Sequence, residues 1–147
     1  VLLLRAVGSS GQLVSYERRE RHAQAARETV ASQVKDLSNW TLKVADVREG
    51  ISEREADKII TDLPAPHEEL DSIAACLRAG GILACFLPTV GQVHSIHEAL
   101  AKDSRFACEQ TWESFERGWH VTASSVRPQQ RMVAHTGFLS FARRLPD

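Results

Sequence analysis

The sequence has 147 residues, of which 43% are hydrophobic and 25% are charged, and its formal net charge is −1. This composition is typical of a globular domain with a substantial core, so we expect a single domain over residues 1–147. No apolar run reaches the length that spans a bilayer, and residues 1–4 lack a basic leader, so we expect neither a membrane protein nor a secretion signal.

The first third of the chain alternates between helix and strand patterns. Residues 1–7 are typical of the end of a helix that Gly8 closes, so we expect the chain to begin partway through a helix–strand unit. Strands are predicted over residues 12–16 and 42–46. Between them, one helical face carries four apolar residues: Ala23, Ala26, Val30 and Val34.

The middle of the chain predicts a strand, a helix, a second strand and a second helix. The first strand is predicted over residues 58–62. An apolar stripe then predicts a helix: Leu70, Ile73, Ala74 and Leu77. Gly80-Gly81 turns the chain into residues 82–87, which are apolar enough for a strand buried on both faces. Thr89 is predicted to cap the helix that follows.

The C-terminal part predicts two antiparallel strands. They cover residues 112–126 and 137–144, and a long connection over residues 127–136 joins them. The preceding strands are separated by helices, which is typical of parallel strands with crossover connections. The predicted fold class is therefore α/β, with a mostly parallel sheet and a C-terminal antiparallel strand pair.

Three predicted strands end near an acidic residue: Glu17, Asp46 and Asp62. In an open α/β sheet, ligands bind beyond the carboxyl ends of the strands, which makes these carboxylates candidate site residues. Asp62 is followed by Pro64-Ala65-Pro66, a stiff corner that stops the strand and holds the acid in place. The structural alternatives are an acid that opens the next helix for Glu17 and a turn acid for Asp46 and Asp62.

The net charge is unevenly distributed. Residues 115–144 carry five arginines against one glutamate, a net charge of +4, which leaves −5 on the rest of the chain. The five arginines are Arg117, Arg127, Arg131, Arg143 and Arg144. This asymmetry is compatible with a local phosphate-binding surface and also with an ordinary solvated face.

Cysteine and histidine spacing does not predict a metal site or a disulfide. The cysteines are Cys76, Cys85 and Cys108. Their odd number and apolar surroundings favour reduced thiols in the core of a cytosolic protein. His94 and His97 share a predicted helix, but no convincing third ligand accompanies them.

Several motifs resemble a known family. They are Thr61-Asp62-Leu63-Pro64-Ala65-Pro66, Glu116-Arg117-Gly118-Trp119, Val126-Arg127-Pro128 and His135-Thr136-Gly137-Phe138-Leu139. Together with the element order, they resemble the tRNA (adenine-58-N1)-methyltransferases, which have the Rossmann-like class I methyltransferase fold and use S-adenosylmethionine. The sequence departs from the family at His67, where an aromatic residue is frequent.

The resemblance implies roles for the strand-end residues. Glu17 would bind the ribose hydroxyls of S-adenosylmethionine, Asp46 its adenine amino group, and Tyr16 and Val47 would flank the adenine. Asp62 would contact the cofactor and act as the catalytic carboxylate, because a fixed negative charge favours the cationic state formed when N1 of an adenine is methylated.

The resemblance also implies a tRNA partner, a homotetramer and a cytoplasmic location. Arg127 and Arg131 would clamp the phosphates around a flipped adenine. His135 would contact the target base or its backbone, with a structural hydrogen-bonding role as the alternative. For Trp112 and Trp119, a place in the core or in a subunit interface is favoured over stacking on bases.

The family's first strand and glycine-rich loop have no counterpart in this sequence, since both would precede Val1. We therefore expect an N-terminally truncated methyltransferase domain whose sheet lacks its central strand. Two other functions stay open. One is an S-adenosylmethionine-dependent enzyme with a different acceptor, and the other is a non-catalytic tRNA-binding subunit. A nicotinamide enzyme is disfavoured because the sequence has no Gly-x-Gly-x-x-Gly motif.

Overall fold

The structure, a computed structural model, describes residues 1–146. The chain divides into two compact units, Val1–Ile51 and Ser52–Asp147. Each unit has its own sheet and its own buried residues. The expectation of a single domain stays a prediction.

The first unit contains two parallel strands and two α-helices. Its elements are α1 (Leu2–Val7), β1 (Leu13–Glu17), α2 (Glu20–Ala31), β2 (Trp40–Val44) and a 3-10 turn over Val47–Glu49. The predicted helix over residues 1–7 and strand over residues 12–16 are confirmed within one residue. Gly8 ends α1 with φ of 66°, a conformation that glycine adopts without steric cost.

The second strand of this unit is displaced from its predicted position. β2 covers Trp40–Val44 rather than residues 42–46, so Asp46 follows the strand instead of ending it. The start is fixed by the indole of Trp40, whose Nε1 donates a hydrogen bond to Ser15 Oγ on β1 at 3.1 Å. Val34 lies beyond the end of α2, whose buried face carries Ala23 and Val30.

The second unit contains a four-stranded sheet, two α-helices and a separate hairpin. Its elements are β3 (Ala56–Thr61), a 3-10 helix (Pro66–Glu69), α3 (Leu70–Cys76), β4 (Leu77–Leu87), α4 (Val90–Lys102), β5 (Phe106–Glu113), β6 (Trp119–Val121), β7 (Val126–Pro128) and β8 (Phe138–Arg144). The sheet order is β3-β4-β8-β5. β3 and β4 are parallel, whereas β8 runs antiparallel to both β4 and β5.

β4 begins earlier than predicted. The sequence predicts a strand over residues 82–87, but α3 already ends at Cys76 and the strand starts at Leu77. Instead of the predicted turn, Gly80-Gly81 forms an irregular part of β4. Gly80 has φ of 77°, and the register with β3 shifts in this region. From Ile82 onward the ladder is regular.

The predicted C-terminal antiparallel pairing is confirmed, but the bounds of its first strand are wrong. β8 pairs with β4 and β5, and of the predicted residues 112–126 only Trp112 and Glu113, the end of β5, pair with it. Residues 119–128 instead form the separate β6–β7 hairpin. The sequence did not predict the first six residues of β5, because the outward-facing residues of this strand are polar and a register shift between Cys108 and Gln110 interrupts its alternation.

One face of the four-stranded sheet packs against α3 and α4. Its buried residues include Ile73, Leu83, Cys85, Leu87 and Ile96. Burial of this apolar face supplies the main stabilisation of the second unit. The prediction that all three cysteines lie in the core is wrong for Cys108, which is exposed, while Cys76 and Cys85 are buried.

The two candidate tryptophans do not lie in the core. Trp112 is 53% exposed and Trp119 is 57% exposed, so the core alternative is wrong for both, and the interface alternative stays a prediction. The ring of Trp112 packs edge-on against Phe141 with ring centroids 5.5 Å apart. Within residues 1–146, each helix is too short or too polar to cross a bilayer.

Candidate functional site

The carboxyl ends of three strands lie at one edge of the four-stranded sheet. β4 and β5 are both antiparallel to β8, so they run in the same direction as β3. Phe138, the first residue of β8, pairs with Leu87 on one side and with Glu113 on the other. The segment before β8 therefore enters the sheet between the carboxyl ends of β4 and β5, at the edge where ligands bind in α/β sheets.

Asp62 lies at this edge, directly after β3. The preceding Thr61 is buried and pairs with Cys85, which anchors the end of the strand. Asp62 itself is exposed, and among the described residues its carboxylate has neither a hydrogen bond nor an ion pair. An exposed carboxylate without a partner is available to a ligand, which is compatible with the role predicted for Asp62.

The loop after Asp62 is held by neighbouring structure. Pro66 is buried and begins the 3-10 helix. The carbonyl oxygen of Pro64 accepts a hydrogen bond of 2.9 Å from Gln92 Nε2 on α4. The corner is thus fixed by two prolines, each with a restricted φ, and by a side-chain tie to a helix.

His135 lies between two acceptors at the same edge. Its Nδ1 is 2.5 Å from Glu113 Oε1, and its Nε2 is 2.8 Å from the carbonyl oxygen of Pro88. The ring also packs against Phe138, with centroids 4.9 Å apart. Hydrogen bonding to the Pro88 carbonyl, followed by that to Glu113, raises the pKa of His135 above its usual value, because both acceptors favour the imidazolium.

Gly137 is required where this segment enters the sheet. A Cβ atom at this position would lie 2.4 Å from Cε2 of Phe86, far inside van der Waals contact. The position therefore accepts only glycine unless Phe86 moves. This close approach gives a physical reason for the glycine in the motif His135-Thr136-Gly137-Phe138-Leu139.

The five arginines of the basic segment fall into two groups. Arg143 Nε donates to Glu109 Oε1 at 2.6 Å, and Arg144 Nε donates to the carbonyl oxygen of Ala74. Three have no acidic partner among residues 1–146: Arg117, Arg127 and Arg131. Within the described part of the chain, this second group is the one whose guanidinium groups have no acidic partner and can bind a phosphate, and it includes both predicted clamp residues.

Glu17 is the last residue of β1 in the first unit. Its Oε1 accepts a hydrogen bond of 2.8 Å from the backbone N–H of Arg19, and its Oε2 lies 3.8 Å from His22 Nδ1. The carboxylate thus accepts a hydrogen bond at the N-terminus of α2, as the structural alternative predicted. Its Oε2 can accept from a further donor. A cavity of about 300 Å³ beside it is also lined by Tyr16 and His22.

Asp46 follows β2 and begins the 3-10 turn. Its carboxylate accepts from the backbone N–H of Arg48 at 3.0 Å and from the Arg48 guanidinium at distances down to 2.5 Å. These hydrogen bonds, from the Arg48 side chain first and its backbone second, lower the pKa of Asp46 to about 2. Val47 begins the same turn, and Tyr16 lies under Lys43, with Nζ 5.5 Å from the ring centroid.

The predicted site residues fall into two groups, one in each unit. In the first unit, parallel pairing places Glu17 opposite Val44, and Ala45 N donates to Glu17 O, so Glu17 and Asp46 follow neighbouring strands. In the second unit, Asp62 and His135 share the carboxyl edge of the sheet. Arg127 lies on β7, opposite His120. Among residues 1–146, no three potential metal ligands come together.

Comparison with known proteins decides the family. Residues 1–127 match the family model described as the tRNA methyltransferase complex GCD14 subunit. The chain belongs to this family. The resemblance predicted from its motifs is therefore confirmed, although the motif at residues 135–139 lies outside the matched range.

Two curated relatives cover nearly all of this GCD14-family chain. The tRNA (adenine(57)-N(1)/adenine(58)-N(1))-methyltransferase TrmI of Methanocaldococcus jannaschii is 30% identical over 99% of this chain and 60% of its own length. The tRNA (adenine(58)-N(1))-methyltransferase TrmI of Thermus thermophilus is 33% identical over 98% of this chain and 56% of its own length. The chain thus spans a little over half the length of these relatives.

Solved structures confirm the predicted fold class. A SAM-dependent O-methyltransferase from Thermotoga maritima is 34% identical with a TM-score of 0.89, and the match covers 97% of this chain and 53% of that one. The tRNA (m1A58) methyltransferase TrmI from Aquifex aeolicus has a TM-score of 0.83 at 22% identity, over 92% of this chain and 54% of that one. The fold is the Rossmann-like methyltransferase fold, with mostly parallel strands and a C-terminal antiparallel pair.

Sequence reasoning missed three residues that organise these sites. Arg48 holds the carboxylate of Asp46, Gln92 holds the loop after Asp62, and Glu113 holds His135. Only Gln92 had a local signal, because Thr89-x-x-Gln92 matches the capping-box pattern. That pattern predicts the start of a helix but gives no indication of the bond to Pro64.

Proposed function

We propose that the protein containing this chain transfers a methyl group from S-adenosylmethionine to N1 of an adenine in tRNA, at position 58. Family membership and two relatives named as tRNA adenine N1-methyltransferases support this reaction. The structural observation that carries it is Asp62, which lies between β3 and a fixed corner and whose exposed carboxylate has no partner among residues 1–146. Glu17, Asp46 and the unpaired arginines supply compatible groups for the cofactor and the RNA.

The first unit offers the groups that an adenosyl cofactor needs. Glu17 Oε2 accepts from the ribose hydroxyls, since Oε1 is already occupied by the backbone of Arg19. Asp46 would accept from the adenine amino group in place of one Arg48 donor, because the backbone N, Nε and Nη2 of Arg48 together make four hydrogen bonds to its carboxylate. Tyr16 and Val47 flank the adenine. When bound, S-adenosylmethionine supplies a methyl group activated by its sulfonium.

Asp62 accelerates the transfer electrostatically and also contacts the cofactor. N1 of adenine is a weak nucleophile, and a carboxylate that accepts from the neighbouring exocyclic amine raises its electron density. The methylated base is cationic, so the fixed negative charge interacts more strongly with the transition state than with the neutral ground state. Alignment of N1 for an in-line attack supplies the rest, because the reaction needs little covalent help from the protein.

The tRNA is held by the basic segment. Arg127 and Arg131 bind phosphates beside the flipped adenine, since both guanidinium groups lack an acidic partner among the described residues. His135 belongs to this substrate-binding group. Because its two ring nitrogens already face Glu113 and Pro88, the ring fixes the position of the segment and contributes charge when it is protonated. We further propose a homotetramer in the cytoplasm, as the family resemblance implies.

The deciding experiment measures methyl transfer from radiolabelled S-adenosylmethionine to an unmodified tRNA transcript, followed by mass spectrometry of the nucleosides. We expect 1-methyladenosine, and we expect it to disappear when adenine 58 of the transcript is replaced by guanine. A product that persists in that transcript would place the methyl group elsewhere, for example at position 57. Cofactor binding without transfer to tRNA would overturn the proposed acceptor.

One observation favours a second candidate. The Thermotoga maritima protein, at 34% identity and a TM-score of 0.89, is described as an O-methyltransferase. An oxygen acceptor would use Glu17 and Asp46 in the same way but would not need Arg127 and Arg131. Neutralising both arginines would then leave the rate unchanged, whereas it lowers the rate with a tRNA acceptor.

A further inference from the structure

The side-chain amide of Gln92 connects the start of α4 to the loop after Asp62. Its Oε1 accepts from Thr89 N at 3.1 Å and from Thr89 Oγ1 at 2.8 Å. Its Nε2 donates to the carbonyl oxygen of Pro64 at 2.9 Å. Because donors surround the oxygen and an acceptor faces the nitrogen, this network fixes the orientation of the amide.

The helix end of this connection is rigid. Thr89 caps α4, and its Oγ1 accepts from Gln92 N, which completes a capping box. Further along α4, Ile96 is fully buried and Leu100 is 3% exposed, so the helix is anchored against the sheet. A group tied to the first turn of α4 is therefore tied to the core of the second unit.

The loop end of the connection lies two residues after Asp62. Asp62 has no hydrogen bond or ion pair of its own among the described residues, so the backbone must position its carboxylate. Thr61 fixes one side of the corner through the β3–β4 ladder. On the other side, the Pro64 carbonyl is held by Gln92. Pro64 has no N–H, so its carbonyl is its backbone hydrogen-bonding group.

We propose that Gln92 is a positioning residue for Asp62. By holding the Pro64 carbonyl, its Nε2 sets where the Asp62 carboxylate stands relative to the acceptor base. This inference rests on the proposed function, since it assigns Gln92 a part in the same reaction. Displacement of a reacting group by about 1 Å can cost on the order of 100-fold in rate, so a single tie at this loop matters for turnover.

The chain offers a substitution that separates the two ends of the amide. Gln92→Glu keeps an oxygen acceptor for Thr89, and glutamate is a favoured capping-box residue. The same substitution replaces the donor that faces Pro64 with a second oxygen, which repels the carbonyl. The helix cap survives while the tie to the loop is lost.

A matched control removes the cap and keeps the tie. Thr89→Ala deletes the hydroxyl that bonds to Gln92, while the bonds from Thr89 N to Oε1 and from Nε2 to Pro64 persist. Loss of a threonine cap destabilises the start of a helix and so lowers Tm. Thr89→Ala thus reports the effect of a weaker helix start alone.

The experiment compares both variants with the unchanged protein in kcat, in KM for tRNA, in Kd for S-adenosylmethionine and in Tm. Gln92→Glu should lower kcat about 10-fold or more, as expected for a misplaced reacting group, with KM, Kd and Tm nearly unchanged. Thr89→Ala should lower Tm and leave kcat within about twofold, because only the cap is lost. If Thr89→Ala lowered kcat more than Gln92→Glu did, in proportion to its loss of Tm, the role of Gln92 would be purely structural and the proposal would be overturned.

A measurement that needs no substrate separates this inference from the proposed function. Amide hydrogen exchange at Leu63 and Ala65 should be faster in Gln92→Glu than in the unchanged protein, because the loop loses its tie. Equal exchange rates would overturn the positioning role even if tRNA methylation is found. If exchange is faster in Gln92→Glu but the unchanged protein does not methylate tRNA, the role of Gln92 in holding the loop stands and the proposed reaction is rejected.

Discussion

Nδ1 of His135 lies 2.5 Å from Oε1 of Glu113, and Nε2 of the same ring lies 2.8 Å from the carbonyl oxygen of Pro88. This pair connects the segment that carries Arg131 to the carboxyl ends of β4 and β5. The connection is strongest when the imidazole is charged, because both nitrogens then donate. The position of the segment proposed to bind tRNA is therefore coupled to protonation of one histidine.

This coupling predicts a pH dependence. The pKa of His135 is raised in the folded chain, so the contribution of the pair is complete below the unfolded value near 6.5 and is lost as pH rises through the folded value. We expect tRNA affinity to fall over that range at constant salt. Glu113→Gln should lower the pKa of His135, as NMR titration of the imidazole would detect. A pKa at or below 6.5 in the unchanged protein would contradict the prediction.

Asp62→Asn tests the proposed catalytic role of the Asp62 carboxylate with almost no change in side-chain volume. We expect the methylation rate to fall about 100-fold or more, because the amide cannot stabilise the developing positive charge. Affinity for S-adenosylmethionine should fall far less, measured by calorimetry. Asp62→Ala should behave in the same way. Equal losses in rate and in cofactor affinity would reject the catalytic assignment.

Arg131→Gln tests the phosphate clamp, and Arg143→Gln is its matched control, because Arg143 is already paired with Glu109. The first substitution should weaken tRNA binding and reduce the slope of log K against log salt by about 1, since one phosphate contact is lost. The second should leave that slope unchanged. Binding isotherms at several salt concentrations would measure both, and identical slopes for the two variants would exclude Arg131 from the clamp.

Gly137→Ala should destabilise the second unit. The added Cβ would lie 2.4 Å from Phe86 Cε2, and overpacking of this kind costs about 1–3 kcal/mol. Urea unfolding would give the change in the free energy of unfolding. Adding Phe86→Leu should recover part of the loss, because the smaller side chain vacates the space. A double variant no more stable than Gly137→Ala would contradict the clash with Phe86 as the cause.

Arg48→Gln should raise the pKa of Asp46 from about 2 towards 3.8, because hydrogen bonds from the Arg48 guanidinium are the largest cause of the lowered pKa. The depressed pKa implies a contribution to stability that is complete above the unfolded value and is lost as pH falls through the folded one. Side-chain NMR titration of Asp46 in both proteins would measure the shift. An unchanged pKa would show that the backbone N–H of residue 48 alone holds the carboxylate.

The elements that the sequence determined are those set by local rules. The end of α1 at Gly8, the cap of α4 at Thr89 and the corner after Asp62 each depend on residues within a few positions of one another. Glycine conformation, side-chain capping and the restricted φ of proline act over that range. Motif resemblance then identified the family and the fold.

Only the tertiary structure decided which distant groups meet. The sequence did not indicate that β8 lies between β4 and β5, that Arg143 is paired while Arg131 has no acidic partner among residues 1–146, or that Gln92 bonds to Pro64 across 28 residues. Strand order and side-chain partners depend on long-range packing, and an arginine in the sequence looks the same whether a carboxylate lies beside it or not. The sequence therefore specified the kinds of groups at the site, and the fold specified which of them are free to bind.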